Sequence, residues 1–273
     1  MSEDVLLALL VTLAAGLCTS IGSAIAFFTK TTNRVFLTLA LGFSAGVMIY
    51  VSFVEIVPKS LKYLVEAEGS STGYLYMTLG FFGGVVVMAV IDRMIPSFGN
   101  PHEPMRVELM DNPAARRDYL QKGALSRMGV FMALAVAIHN FPEGLATFLV
   151  ILEDPSVGLA LAVAVAIHNI PEGIAVSVPI YYDTGRRGKA FLLSSLSGLA
   201  EPLGAVVGYL LLRPYLTDTW LGILFAAVAG VMVFISLDEL LPAAREYGRP
   251  HLAIYGMIGG MGVMAGSLVL FQL

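Results

Sequence analysis

Apolar residues along this chain come in blocks of roughly twenty, separated by short polar stretches. A helix of that length crosses the hydrocarbon core of a bilayer. Eight spans are predicted, at Val5–Phe28, Val35–Val57, Tyr74–Ile95, Leu125–Ile151, Val157–Tyr181, Ala190–Leu212, Thr219–Leu241 and Leu252–Leu270. The blocks lack the alternating ten-residue pattern of a membrane barrel. The expected fold class is therefore an all-α polytopic membrane protein, forming a single transmembrane domain over residues 1–273. Most connections are short. The exception is Pro96–Lys122, a charged stretch with four prolines and no apolar period, which predicts a loop over 96–122 with at most a short surface helix.

The polar positions inside the blocks matter more than the blocks themselves. Ala135–Ala146 reads AVAIHNFPEGLA and Ala164–Ala175 reads AVAIHNIPEGIA, on consecutive spans that run antiparallel. In a helix His139 and Glu143 share one face, as do His168 and Glu172. Pro142 and Pro171 lack an N–H and crowd the carbonyl four residues back, so bends are expected there, with the carbonyls of Ile138 and Ile167 set free. Ionisable groups at membrane depth are costly and point to a functional site. Imidazole, carboxylate and the amides of Asn140 and Asn169 together describe a divalent metal site. Hydrogen-bonded cross-links between helices are the alternative, but two facing carboxylates in oil would repel, and a dication removes that penalty. The donor mixture suits zinc, iron, manganese or cobalt better than magnesium or calcium.

A second repeat joins the second and seventh spans. Gly46–Pro58 reads GVMIYVSFVEIVP and Gly230–Pro242 reads GVMVFISLDELLP. Five spans lie between them, so they too point in opposite directions, as in inverted-topology repeats whose interface holds the substrate at the midplane. The layout expected is three spans, a central pair and three more. No match is found between the first and sixth spans or between the third and eighth.

Composition adds limits. The chain is 57% hydrophobic and 13% charged, about half the charge of a soluble domain. The lone Cys18 excludes an internal disulfide and a cysteine-based zinc site. The acidic start MSEDVLLALL has no basic region, so no cleaved signal peptide is expected. Of the sixteen Lys and Arg residues, only Lys59, Lys62 and Arg213 fall on one side of the predicted membrane. The remaining thirteen, among them Arg116, Arg117 and Arg187, mark the cytoplasmic side. Both termini are thus expected outside and the 96–122 loop inside.

Five further positions carry candidate chemistry. Glu201 lies mid-span in SSLSGLAEPLGA and reads as a third carboxylate for the same centre, the alternative being hydrogen bonds to Ser194, Ser195 and Ser197. Met48 offers a soft, weak ligand or simply fills the core. Glu55 near the outer end of the second span, with Asp238 and Glu239 near the inner end of the seventh, reads as a pair of pathway mouths. Asp92 and Arg93 read as interfacial anchors, and His102, Glu103 and His251 as solvated residues.

At these residues the chain resembles the ZIP family of divalent metal transporters, and within it the bacterial ZupT branch. The likeness covers nearly the whole chain and rests on the paired HN-x-PEG motifs. It implies eight helices in a 3+2+3 arrangement, transport toward the cytoplasm, and a binuclear centre. One metal would be held by His139, Glu143, His168 and Glu172, with Met48 as a weak ligand. The second would use Asn140, Asn169 and Glu201, with Glu143 and Glu172 bridging. Some relatives carry Gln and Asp where this chain has His168 and Asn169, which leaves the metal preference open. The family also implies a sliding, elevator-type motion of the ligand-bearing spans.

The function expected is import of divalent transition metals across a bacterial inner membrane by alternating access. Zinc comes foremost, with iron, manganese, cobalt or cadmium as further cargo. The metal is a transported ion, and no prosthetic group is expected. Divalent ions and the lipid bilayer are the expected partners, a homodimer is the assembly to consider, and no nucleic acid is expected. An intramembrane metalloenzyme competes weakly, because H-x-x-x-E lacks the Glu that follows His in H-E-x-x-H. A passive metal channel is the third reading.

Overall fold

The computed structural model describes residues 3–28, 34–94, 124–153, 155–212, 215, 217–246 and 250–272. The predicted 96–122 loop, with His102 and Glu103, lies outside them. Among the described residues the chain is almost entirely helical. It runs as α1 (Glu3–Phe28), α2 (Arg34–Val51), α3 (Val57–Glu68), α4 (Ser70–Met94), α5 (Ala124–Glu153), α6 (Pro155–Thr184), α7 (Arg187–Gly198), α8 (Ala200–Val207), α9 (Asp218–Ile235), α10 (Leu241–Glu246) and α11 (Pro250–Gln272). Among the described residues, seven stretches are long and apolar enough to cross a membrane, and Gly158–Ile174 within α6 forms a shorter apolar helix. The chain is a multi-pass membrane protein.

Among the described residues three wide π turns occur, at Ser52–Ile56, Gly208–Leu212 and Ser236–Leu240. Two of them end shortly before a proline inside the continuing rod, Pro58 and Pro242. A proline inside a helix crowds the carbonyl four residues back, and a turn widened to five residues relieves that contact. The second span was expected to end at Val57, but its rod continues through Pro58 as α3 to Glu68. The sixth span, where Pro202 is expected to loosen the helix around Glu201, is divided at Leu199 just ahead of both. α5, by contrast, runs through Pro142 as one continuous α-helix.

Two groups of helices pack together. In one, α1 lies along α6, α5 lies along both α6 and α8, and α7 touches α1, α5 and α6. In the other, α2 lies along α11, and α4 and α3 lie along α9. Glycines set these contacts by letting backbones meet. Gly46 of α2 sits on the Met257 carbonyl of α11 as Gly230 of α9 sits on the Phe81 carbonyl of α4. Gly84 meets Ala227 as Gly260 meets Phe43. A Cβ at any of these positions would collide with main chain.

The equivalences reveal repeats that the bare sequence had hidden. The α4 and α11 contacts bring GFFGG (80–84) into register with GMIGG (256–260), each continuing to a Met-Ala pair at 88–89 and 264–265. In α1, Gly22 meets the Ile170 carbonyl as Gly204 of α8 meets that of Phe141, aligning GLCTSIG (16–22) with GLAEPLG (198–204). The first and sixth spans and the third and eighth are therefore related after all. Their resemblance lies in small residues, which recur in any membrane sequence and identify a repeat only once their neighbours are known.

Candidate metal centre

α5 and α6 are joined by residue 154 alone, so they run side by side in opposite directions and bring the two motifs together. The acids and imidazoles pair crosswise. His139 Nε2 lies 3.2 Å from Glu172 Oε1, and His168 Nε2 lies 3.2 Å from Glu143 Oε1. Like charges are thus separated, each carboxylate facing an imidazole of the other helix. All four side chains are buried, with Glu143 the most accessible at 3%.

The two asparagines flank this pair of contacts. Asn140 Nδ2 donates to the Ser197 carbonyl at 3.2 Å. Asn169 Nδ2 donates to the Ala15 carbonyl at 2.9 Å and to Glu201 Oε1 at 2.5 Å. Glu201 is fully buried. The serines around it are engaged elsewhere: Ser194 donates to the Gly173 carbonyl, Ser197 to the Ser194 carbonyl, and Ser20 to Ser195. The Ser197 carbonyl that accepts from Asn140 lies two residues before the break at Leu199.

The bonds leave a surplus of acceptors. Asn140 Oδ1, Asn169 Oδ1, Glu172 Oε2 and Glu201 Oε2 are buried without a hydrogen-bond partner, as is His168 Nδ1. Buried polar atoms are nearly always paired, and a cluster of lone pairs with no donor in an apolar interior suits a cation. As they stand, the side chains do not converge on one point. Among the described residues no group of three or more His, Cys, Asp or Glu closes into a metal cage. An ion entering there has to replace the crossed His–Glu contacts.

The remaining candidates lie around this centre. Met48 is fully buried in the core that it shares with Met232, and Ser44, one turn before it, donates to the His168 carbonyl at 3.4 Å. Glu55, on the first π turn, is half-buried and lines a cleft of about 460 Å³ with Lys59, Lys62, Tyr63, Glu66 and Glu153. Glu239, on the matching π turn, was expected near a water-filled mouth. It is 1% exposed, and neither of its oxygens has a hydrogen-bond partner. It sits close enough to His139, Asp92 and Asp238 to interact with them electrostatically. Asp92, expected as an anchor, keeps a buried Oδ1 without a partner, whereas Arg93 is exposed. His251 is exposed as expected.

A polytopic helical protein with acid, imidazole and amide gathered in its apolar centre belongs with the membrane transporters of cations. Residues 101–268 match the ZIP zinc transporter family, and the chain is a member of that family, hence a transporter and not an enzyme. It is 61% identical over 270 residues to the zinc transporter ZupT of Lysinibacillus sphaericus, covering 99% of each chain. It is 60% identical to that of Oceanobacillus iheyensis, over 98% of this chain and 99% of the relative. For the zinc transporter ZupT of Nitratidesulfovibrio vulgaris the identity is 57%, over 98% of both.

Proposed function

We propose that this protein imports divalent transition metals, zinc first, into the cytoplasm by alternating access. The carrying observation is the pair of crossed His–Glu contacts between antiparallel α5 and α6, beside buried amide and carboxylate oxygens that no donor satisfies. Iron, manganese, cobalt and cadmium fit the same donors. His139, Glu143, His168 and Glu172 hold one ion, with Met48 as a weak ligand. Asn140, Asn169 and Glu201 hold a second, bridged by Glu143 and Glu172. Metal enters from the outer side past Glu55, sheds water among the midplane ligands, and leaves past Glu239 and Asp238. The excess of Lys and Arg on one side supports a topology with both termini outside a bacterial inner membrane and the 96–122 loop in the cytoplasm. A homodimer is the proposed assembly.

Zinc uptake into proteoliposomes tests this directly. Glu143→Ala and Glu172→Ala should each abolish saturable uptake while the purified variants keep wild-type helicity. Uptake that survives both substitutions overturns the assignment. Because the ligands bind metal only when deprotonated, protons compete with zinc. Uptake should therefore fall as external pH is lowered from mildly alkaline to mildly acidic, and a flat profile counts against a site of carboxylates and imidazoles.

A further inference from the structure

The repeats pair side chains that lie far apart in the chain, and one pairing bears on the centre itself. Gly173 of α6 packs on the Thr19 carbonyl, as Gly144 of α5 packs on the Glu201 carbonyl. Gly16 and Gly198 pack on each other's carbonyls. With GLCTSIG laid on GLAEPLG, Thr19 stands in α1 where Glu201 stands in α8. Likewise Ala15, whose carbonyl holds Asn169, corresponds to Ser197, whose carbonyl holds Asn140.

Thr19 is fully buried and its Oγ1 has no hydrogen-bond partner. A threonine in an apolar helix ordinarily donates to the carbonyl four residues back. Thr12 does so to Ala8 at 2.8 Å and Thr184 to Ile180 at 2.6 Å. The corresponding acceptor for Thr19 is the Ala15 carbonyl, and it receives Asn169 Nδ2 instead. The Thr19 side chain rests on Gly198, where an added Cβ would lie 2.8 Å from Oγ1. The next residue back, Ser197, anchors Asn140, whose own Oδ1 is unpartnered. Thr38 and Thr147 also lack partners, but neither stands at the counterpart of a carboxylate.

We propose that the Thr19 hydroxyl is an oxygen ligand of the cation bound at Asn140, standing on the α1 side as Glu201 stands on the α8 side. A hydroxyl there adds a lone pair without a further buried charge, so the two flanks of the centre differ in charge. The inference rests on the metal-binding reading of α5 and α6.

The test is zinc binding by competition with a chromogenic chelator, alongside uptake and thermal stability, in the full-length protein. Thr19→Val should weaken binding on the order of tenfold with unchanged melting temperature, and Thr19→Ser should restore it. Thr19→Cys in a Cys18→Ala background should shift preference from manganese toward cadmium and, loaded with Co²⁺, show a sulfur-to-cobalt charge-transfer band. Wild-type zinc affinity in Thr19→Val, or no such band from folded, cobalt-binding Thr19→Cys, overturns the proposal. Glu143→Ala separates the two readings. If it loses binding while Thr19→Val does not, only the Thr19 assignment fails. If it binds like wild type, the centre itself is misplaced.

Discussion

Glu55 and Glu239 occupy the same step of two related segments, each on a π turn, and their surroundings are opposite. Each turn begins at a serine that donates 2.7 Å back into the preceding helix, Ser52 to Met48 and Ser236 to Met232. From these equal frames Glu55 looks into an open cleft beside two lysines, while Glu239 is sealed in the interior beside His139. A local feature built twice from one pattern thus yields one accessible and one enclosed carboxylate. On the proposed pathway that inequality leaves the Glu55 mouth open and the Glu239 mouth packed shut. It also says that the backbone turn is the shared device, and that exposure is set by neighbouring helices.

The largest expected difference is in chemical access. Glu55→Cys should react with a membrane-impermeant thiol reagent about a hundredfold faster than Glu239→Cys, since a buried thiol reacts only through rare openings. Equal rates, measured by mass shift on the folded protein, would erase the contrast. Next in size, Glu239→Gln should slow zinc uptake about tenfold, because the proposed exit path runs past the enclosed carboxylate. It should also stabilise the fold by about 1 kcal/mol, since an unpartnered buried carboxylate costs more than an amide. A variant that both unfolds earlier and transports normally would make Glu239 a structural residue. The smallest effect belongs to Glu55→Gln, which should raise the KM for zinc about twofold to fivefold with kcat and stability unchanged. That effect should fade at high ionic strength, as for any exposed charge steering an ion.

Much of the centre was legible beforehand. His139, Asn140, Glu143 and their copies stand out because an ionisable residue in a twenty-residue apolar run has few innocent explanations. Glu201 stands out for the same reason, beside its proline. Thr19 does not, since a threonine in a membrane helix draws no notice until its usual acceptor proves to be occupied. The π turns escaped as well. A proline at 58 or 242 announces a disturbed helix, but whether the chain ends, kinks or widens by one residue depends on what packs around it. The repeats between the outer spans were hidden because glycine spacing is informative only when each glycine's neighbour is known.

What the chain determines alone is where it enters the membrane and which polar groups it carries into it, because hydrophobic length and the cost of charge in oil are properties of each segment. Tertiary structure decided the pairing: His139 with Glu172 and His168 with Glu143, Asn169 shared between α1 and α8, Glu239 enclosed while Glu55 is not. Contacts of that kind depend on the register of helices far apart in sequence. That register is set by glycines meeting carbonyls across the bundle, which no single segment specifies.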